Sequence, residues 1–262
     1  MNSSLRTSAS GMMAQQKMID VIANNLANVN TTGFKRSRVS FEDVLYETVR
    51  EARVADAQSK ETLAPVQIGK GVRIAAVLRL NTQGSPEATQ RPLDLSVEGD
   101  GLFQVQRPDG GVSYTRDGNL TLDSSGALVT TGGYAVLPGI NLPQDATNVA
   151  VSPNGTVSAL LPGATAPSEV GRIELARFLN PSGLLAIGEN QYLATDASGE
   201  PTLGMPGEEG FGRVLQGTLE TSNVEMVQEM TDMISAQRAY EINAKAVRAA
   251  EEMMQQSNDL LR

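Results

Sequence analysis

The 262-residue sequence contains no cysteine, no histidine and no tryptophan. Without cysteine there are no disulfides and no thiolate metal sites. Without histidine there is no Ser–His–Asp triad and no imidazole base, and the usual nitrogen ligand of zinc and non-haem iron is missing. Any chemistry would have to rest on carboxylates or lysines. Aromatic residues make up only 4 %, so a core must be built from Val, Leu, Ile, Met and Ala. No run approaches the roughly 18 consecutive apolar residues of a membrane helix. The N-terminus lacks a basic stretch followed by an apolar one, so no cleaved secretory signal is expected. The chain then either stays in the cytoplasm or leaves by another route.

What is present is a pair of seven-residue apolar columns at opposite ends. Leu5, Met12, Ile19 and Leu26 form the first, with Ile22 and Val29 three residues after the last two. Leu219, Met226, Met233, Tyr240, Val247, Met254 and Leu261 form the second, flanked by Met230 and by Ala236, Ala244 and Ala250. Such a repeat keeps one seam of a helix against a partner helix. The first helix is predicted from about Asn2–Ser4 to about Val29. Asn24, Asn25, Asn28, Asn30, Thr31 and Thr32 compete for its backbone, and Gly33 suits a left-handed cap. The second is predicted to start at a capping box, Ser222-Asn223-Val224-Glu225, and to continue for about 40 residues, roughly 60 Å. That is long against a mean of about 11–12 residues for globular helices. A stripe of that length predicts partner helices, from this chain or from neighbouring ones.

Charge separates the ends from the middle. Residues 1–40 carry five basic side chains against Asp20, and residues 219–262 carry eight acids against four bases. The ends cancel, so the middle holds the whole net charge of −9. Opposite charges favour pairing of the two helices, at about 0.2–1 kcal/mol per exposed pair. An acidic middle argues against a nucleic-acid partner.

Between the helices the period changes to two. Val72, Ile74, Ala76 and Leu78 alternate, as do Leu93, Leu95 and Val97. The runs Leu102–Gln106, Val112–Thr115, Leu120–Leu122 and Leu128–Thr130 then lie between Gly-containing turns. This predicts an antiparallel β meander or small barrel, followed by a Pro-interrupted stretch whose clearest strand is Ile173–Leu179. The fold class is therefore α+β. Residues 1–33 are expected as an N-terminal helix and 34–65 as an extended segment. Residues 66–218 are expected as a β-rich domain and 219–262 as a C-terminal helix. Residues 46–65 show no regular apolar period and are expected to be flexible or weakly helical in an isolated molecule.

Candidate chemistry is thin. Gly99-Asp100-Gly101 lacks the third glycine and the following helix of a phosphate loop. Asp100, Asp109, Asp117 and Asp123 sit at turn signals, where a carboxylate shapes the backbone, and none is spaced as a calcium loop. A carboxylate-dependent cell-wall hydrolase is the competing class, and it would need two of these acids on one pocket wall. Lys35-Arg36-Ser37-Arg38 reads as a solvated run or a contact to acidic helices. No cofactor and no metal are expected, and no catalytic residue is assigned.

Two long motifs occupy the ends. Ser10-Gly11, Ala14-Gln15-Gln16 and Asp20-Val21-Ile22 lead into Ala23–Lys35 (ANNLANVNTTGFK), and Leu219–Val247 reads LETSNVEMVQEMTDMISAQRAYEINAKAV. They resemble the N- and C-terminal signatures of bacterial flagellar rod and hook proteins, and Gly99–Val105, Tyr114–Gly118 and Asp123–Thr130 resemble that family's β domain. In length, and from Phe41–Tyr46 through Gln67-Ile68-Gly69, the chain is most similar to distal-rod members; a proximal-rod or hook-type subunit is the alternative. The resemblance implies a structural subunit that polymerises helically into a hollow drive shaft transmitting torque to the hook. The terminal helices would form an inner coiled-coil tube through the columns named above, around an export channel, with the β domain outside. The implied partners are other copies of the chain, proximal rod proteins below, hook protein above, and the peptidoglycan and outer-membrane ring proteins. Delivery by the flagellar type III export apparatus without a cleaved signal is implied, to a rod crossing the periplasm. Phe41 and Leu45 fit a short export pattern, and a packing role would explain them equally. The stretch 46–65 would bridge subunits, and an acidic outer surface would discourage sticking to the surrounding rings.

Overall fold

The computed structural model describes residues 3–50, 53–54, 62–63, 65–143, 145–146, 148–162 and 166–259. Two helices, α1 (Ser3–Ala27) and α2 (Met226–Asp259), bracket a chain of short strands. The first strands are β1 (Ser37–Asp43), β2 (Tyr46–Arg50), β3 (Arg53–Val54), β4 (Thr62–Leu63), β5 (Val66–Gly69) and β6 (Val72–Arg79). There follow β7 (Pro86–Ala88), β8 (Leu95–Glu98), β9 (Leu102–Gln106), β10 (Val112–Thr115), β11 (Leu120–Leu122), β12 (Leu128–Thr130), β13 (Ala135–Val136), β14 (Asn148–Val151), β15 (Thr156–Leu160) and β16 (Ser168–Arg172). The last are β17 (Leu175–Arg177), β18 (Leu185–Gly188), β19 (Gln191–Leu193), β20 (Thr202–Gly204), β21 (Arg213–Gln216) and β22 (Thr218–Glu220). The chain divides into a helical unit, residues 1–26, 37–78 and 226–262, and a β unit, residues 27–36 and 79–225. The division does not follow the periodicity. Residues 27–36 and 219–225 go with the strands, and residues 37–78 go with the helices.

In the β unit, β9 is the central strand. It pairs antiparallel with β10 along its length, with β13 at its end and with β17 at its start. The full sheet runs β11-β12-β13-β9-β10-β19-β18, with β20 joined through β17. Alternation along β9 sends Phe103 and Val105 into the main core, where they meet Leu95, Leu120, Leu175 and Val214. A smaller cluster holds Tyr114, Phe178 and Tyr192, with the Tyr114 and Phe178 rings edge-on at 4.8 Å. The turn acids shape loops. Asp123 Oδ1 accepts from the Ser125 N–H at 2.5 Å and from the Ser125 hydroxyl at 2.6 Å.

In the helical unit, β1 pairs with β6, β2 with β5 and β3 with β4. Within 46–65 the described residues thus form paired strands and not weak helix, while residues 51–52, 55–61 and 64 lie outside the description. The β2–β5 register sets Glu47 opposite Ile68 and Thr48 opposite Gln67. That gain in backbone pairing outweighs the missing apolar period, although Tyr46, Val49, Val66 and Ile68 all remain exposed. No described helix is long and apolar enough to cross a membrane.

Both helix boundaries depart from expectation. Helix α1 stops at Ala27, and Val29 lies in the turn beyond it, where the Thr31 N–H donates to the Asn28 carbonyl at 3.1 Å. The second helix begins at Met226, three residues later than the first helical position that the capping box predicts, residue 223. Ser222 Oγ instead accepts from the Val224 N–H, Val224 is buried, and the Asn223 side chain is held elsewhere in the β unit. Leu219 is not on a helix. It lies in β22 opposite Glu87 of β7. Leu261 lies outside the described residues.

Candidate functional site

The helical unit is the first candidate. Asn25 Nδ2 donates to Glu229 Oε2 at 3.0 Å, and a Cβ built on Gly11 would lie 3.1 Å from the Asn243 side chain. Both contacts pair positions whose numbers sum to 254, so α1 and α2 run antiparallel in one register across four turns. The shielded line of α2 is Glu229, Ala236, Asn243 and Ala250, spaced by seven, with Met233, Val247 and Met254 half-buried beside it. Sequence reading found the bulky column and only part of this second one, because two of its members are polar and two are alanine. Small residues there let the helices approach closely; among the described residues of α1 the one bulky apolar side chain that is buried is Ile22. Of the predicted column, Leu5, Met12, Ile19 and Leu26 are half-buried, whereas Met226, Met230 and Tyr240 are exposed.

Asn25 does more than join helices. Its Nδ2 also donates to the Ser37 carbonyl at 2.8 Å, and its Oδ1 accepts from the Ser37 N–H at 2.9 Å. A single side-chain amide thus satisfies both backbone groups at the start of β1. Asn24 and Asn30, its neighbours in the motif, are exposed.

The helical unit lacks a closed core. Its only fully buried apolar residues among those described are Ala14, Ile22, Ala236 and Ala250. Val227, Met230, Ile234, Ile242 and Met253 stand exposed along α2, and Met13 is 67 % exposed on α1. Exposed apolar surface on that scale marks an interaction face. Phe41 lies on β1 at the margin of exposure, and Leu45, after it, is 83 % exposed. The described residues therefore leave Leu45 almost uncovered.

The second candidate lies in the β unit, where the end of the N-terminal motif meets the start of the C-terminal one. Gly33, at φ +67°, donates its N–H to the Glu220 carbonyl at 2.8 Å. Thr32 Oγ1 donates to Asp117 Oδ1 at 2.8 Å, and Asn190 Nδ2 donates to the Thr32 carbonyl. Phe34 accepts from the Asn223 N–H, while Asn223 Oδ1 accepts from the Arg36 N–H at 2.7 Å. At the centre the buried carboxylate of Glu220 takes Lys35 Nζ at 2.6 Å and Arg116 Nε at 2.7 Å. Burial pushes the Lys35 ammonium down from its ordinary pKa, and the adjoining Glu220 charge opposes that shift. The sequence favours Lys35 either on a solvated run or against the acidic C-terminal helices of neighbours. Its 6 % exposure overturns the first, and its acid is Glu220 of the same chain, on a strand 185 positions away, which no local pattern reveals.

Beside this cluster lies a cavity of about 400 Å³ whose lining contains one acid, Asp100, alongside Lys35, Arg116 and Arg177. The paired carboxylates of a glycoside hydrolase are not there. Among the described residues no group of acids is placed to hold a metal ion.

Comparison with known proteins identifies the family of the chain. Residues 5–35 match the flagella basal body rod protein family, residues 96–159 the flagellar hook protein FlgE/F/G D1 domain, and residues 215–260 the flagellar basal body rod FlgEFG protein C-terminal domain. These three matches, in this order along the chain, are those of flagellar rod and hook proteins. Flagellar basal-body rod protein FlgG of Caulobacter vibrioides is 48 % identical over 98 % of both chains. FlgG of Borreliella burgdorferi is 47 % identical over 98 % of both chains, and that of Bacillus subtilis 38 % over 99 %. The chain belongs to the flagellar basal-body rod protein FlgG family, structural proteins of the distal rod and not enzymes.

Proposed function

We propose that the chain polymerises helically into the hollow distal shaft of the flagellar rod and carries torque from the motor to the hook. The observation that supports this reading is the open core of the helical unit. Val227, Met230, Ile234 and Ile242 face water on a 34-residue helix whose other side already meets α1. Burial is worth about 25 cal/mol per Å² of apolar surface, so neighbouring copies that cover this face stabilise the unit that the isolated chain leaves incomplete. On this reading the terminal helices line an inner coiled-coil tube through Leu5, Met12, Ile19, Ile22 and Leu26 and through Met226, Met230, Met233, Tyr240, Val247 and Met254. Val29 and Leu219 serve the β unit instead.

The same reading places other copies along the shaft, proximal rod proteins below, hook protein above, and the peptidoglycan and outer-membrane ring proteins around it. Delivery is through the flagellar type III export apparatus without a cleaved signal, with Phe41 and exposed Leu45 available for recognition. The arm 46–65 bridges neighbours.

Electron microscopy of the concentrated protein tests the proposal. The intact chain is expected to form rods, and a chain limited to residues 27–225 is expected to remain monomeric. Shortening to residues 41–218 would be uninformative, since it also removes Lys35 and Glu220. Rods formed without either helix would overturn the reading.

A further inference from the structure

The three charged residues at the centre of the β unit come from three separate parts of the chain. Lys35 lies in the first family match, Arg116 in the second and Glu220 in the third. Two cations are buried there against one carboxylate. Among the described residues Lys35 has one other acceptor, the Thr82 carbonyl at 2.8 Å. Arg116 donates to the carbonyls of Val97, Gly99 and Gly101. Glu220 Oε1 accepts in addition from the Gly84 N–H at 2.8 Å. Asp100, the one acid lining the adjoining cavity, is exposed to water.

The order of these residues has a physical consequence. The anion follows its cations by 185 and 104 positions. It arrives on a strap, residues 213–224, in which β21 pairs with β8 and β22 with β7. The Thr221 N–H then closes on the Ser85 carbonyl, and Asn223 Nδ2 on the carbonyls of Leu80 and Thr82. Until that strap is seated, burying Lys35 and Arg116 would strand two unpaired cations in a low-dielectric site, which is strongly unfavourable.

We propose that Glu220 is a latch: the N-terminal motif 30–36 adopts its buried conformation only when the strap delivers this carboxylate. A chain still lacking residue 220 keeps the motif hydrated and the β unit open. Synthesis from the N-terminus supplies the cations early and the anion late, so the latch withholds closure from an incomplete chain. This device operates in the monomer and stands or falls independently of the polymerisation reading.

Hydrogen exchange on the full-length chain tests it. During refolding with pulse labelling, peptides covering 30–36 are expected to gain protection together with or after those covering 213–224. Protection of 30–36 before the strap would overturn the latch. At equilibrium, Glu220→Gln is expected to raise exchange at 30–36 at least about a hundredfold, from the usual cost of breaking a buried ion pair, while β14–β15 stays protected. Adding Lys35→Met removes one stranded cation and should recover at least about tenfold. Were Glu220 merely a packing residue, the second substitution would add to the damage, and that result refutes the proposal. Should Glu220→Gln alone fail to fold, the double variant regaining the near-UV signal of Tyr114 and Tyr192 supports the latch, and its failure to do so overturns it.

Discussion

Replacing Gly33 by alanine measures how closely the N-terminal motif is held in the β unit. Gly33 has φ +67°, and a Cβ there would lie 2.8 Å from the Arg116 carbonyl carbon and 3.0 Å from the Asp117 nitrogen. A left-handed conformation costs an L-residue about 1–2 kcal/mol. The clash adds about 1–3 kcal/mol, as overpacking does elsewhere, because backbone atoms cannot rotate aside. Relieving it would stretch the buried Gly33–Glu220 hydrogen bond. Against this, loss of glycine's freedom in the unfolded chain returns about 0.4–1 kcal/mol. The net destabilisation is about 1–4.6 kcal/mol. Gly133 supplies the control, since it has φ +82° and nothing within 4 Å of its Cβ position. Gly133→Ala should therefore cost about 0–1.6 kcal/mol, less than Gly33→Ala by the clash. In urea melts followed by near-UV circular dichroism, with a slope of about 2 kcal/mol/M, Gly33→Ala should lower the midpoint by about 0.5–1.5 M more than Gly133→Ala does, the difference being the clash alone. Equal midpoints for the two variants would show that the motif is not packed against Arg116, and the reasoning would fail.

The helical unit yields three further expectations and the surface one. Asn25→Ala strips the Ser37 backbone of both partners and should cost about 2 kcal/mol locally, read as faster exchange at the start of β1. Ala236→Leu overfills the line of α2 at Ala236, which is 2 % exposed, and should destabilise the helix pair by about 1–3 kcal/mol in thermal melts by far-UV dichroism. Ile234→Asp with Ile242→Asp should leave monomer stability within about 0.5 kcal/mol per site yet abolish sedimenting polymer; undiminished polymer would remove those positions from the assembly face. On the β unit, the hydrogen bond from Arg213 holds the Glu98 carboxyl below its ordinary pKa. Its stabilising contribution is present above the unfolded pKa and is lost as pH falls through the lower folded value. Arg213→Ala should accordingly lower the neutral-pH plateau slightly and leave the acid end unchanged, so that the acid limb of a stability–pH profile from urea melts flattens; an unchanged profile would show that the pair contributes nothing.

The strands Leu102–Gln106, Val112–Thr115, Leu120–Leu122 and Leu128–Thr130 could be read directly from the sequence, since alternation and Gly turns are local signals. The presence of a long helix at each end was equally legible, as was the chain's place among flagellar rod and hook proteins. The helix ends were not, because the partners that hold Asn223 and Val224 out of the helix, such as Leu80 and Thr82, lie about 140 residues earlier. The strands within 46–69 also depended on pairing across a segment with no periodicity of its own.

By itself the sequence determined which residues are apolar, at what spacing, and therefore that two helices would flank a β domain and seek partners. Only the tertiary structure decided that the partner-facing line of α2 is Glu229, Ala236, Asn243 and Ala250, and that Leu219 belongs to a strand. It also decided that Lys35 is buried against Glu220 and Arg116 and is not solvated. Periodicity reports the face of a single element, whereas a buried charge depends on a counter-charge that only the fold brings within reach.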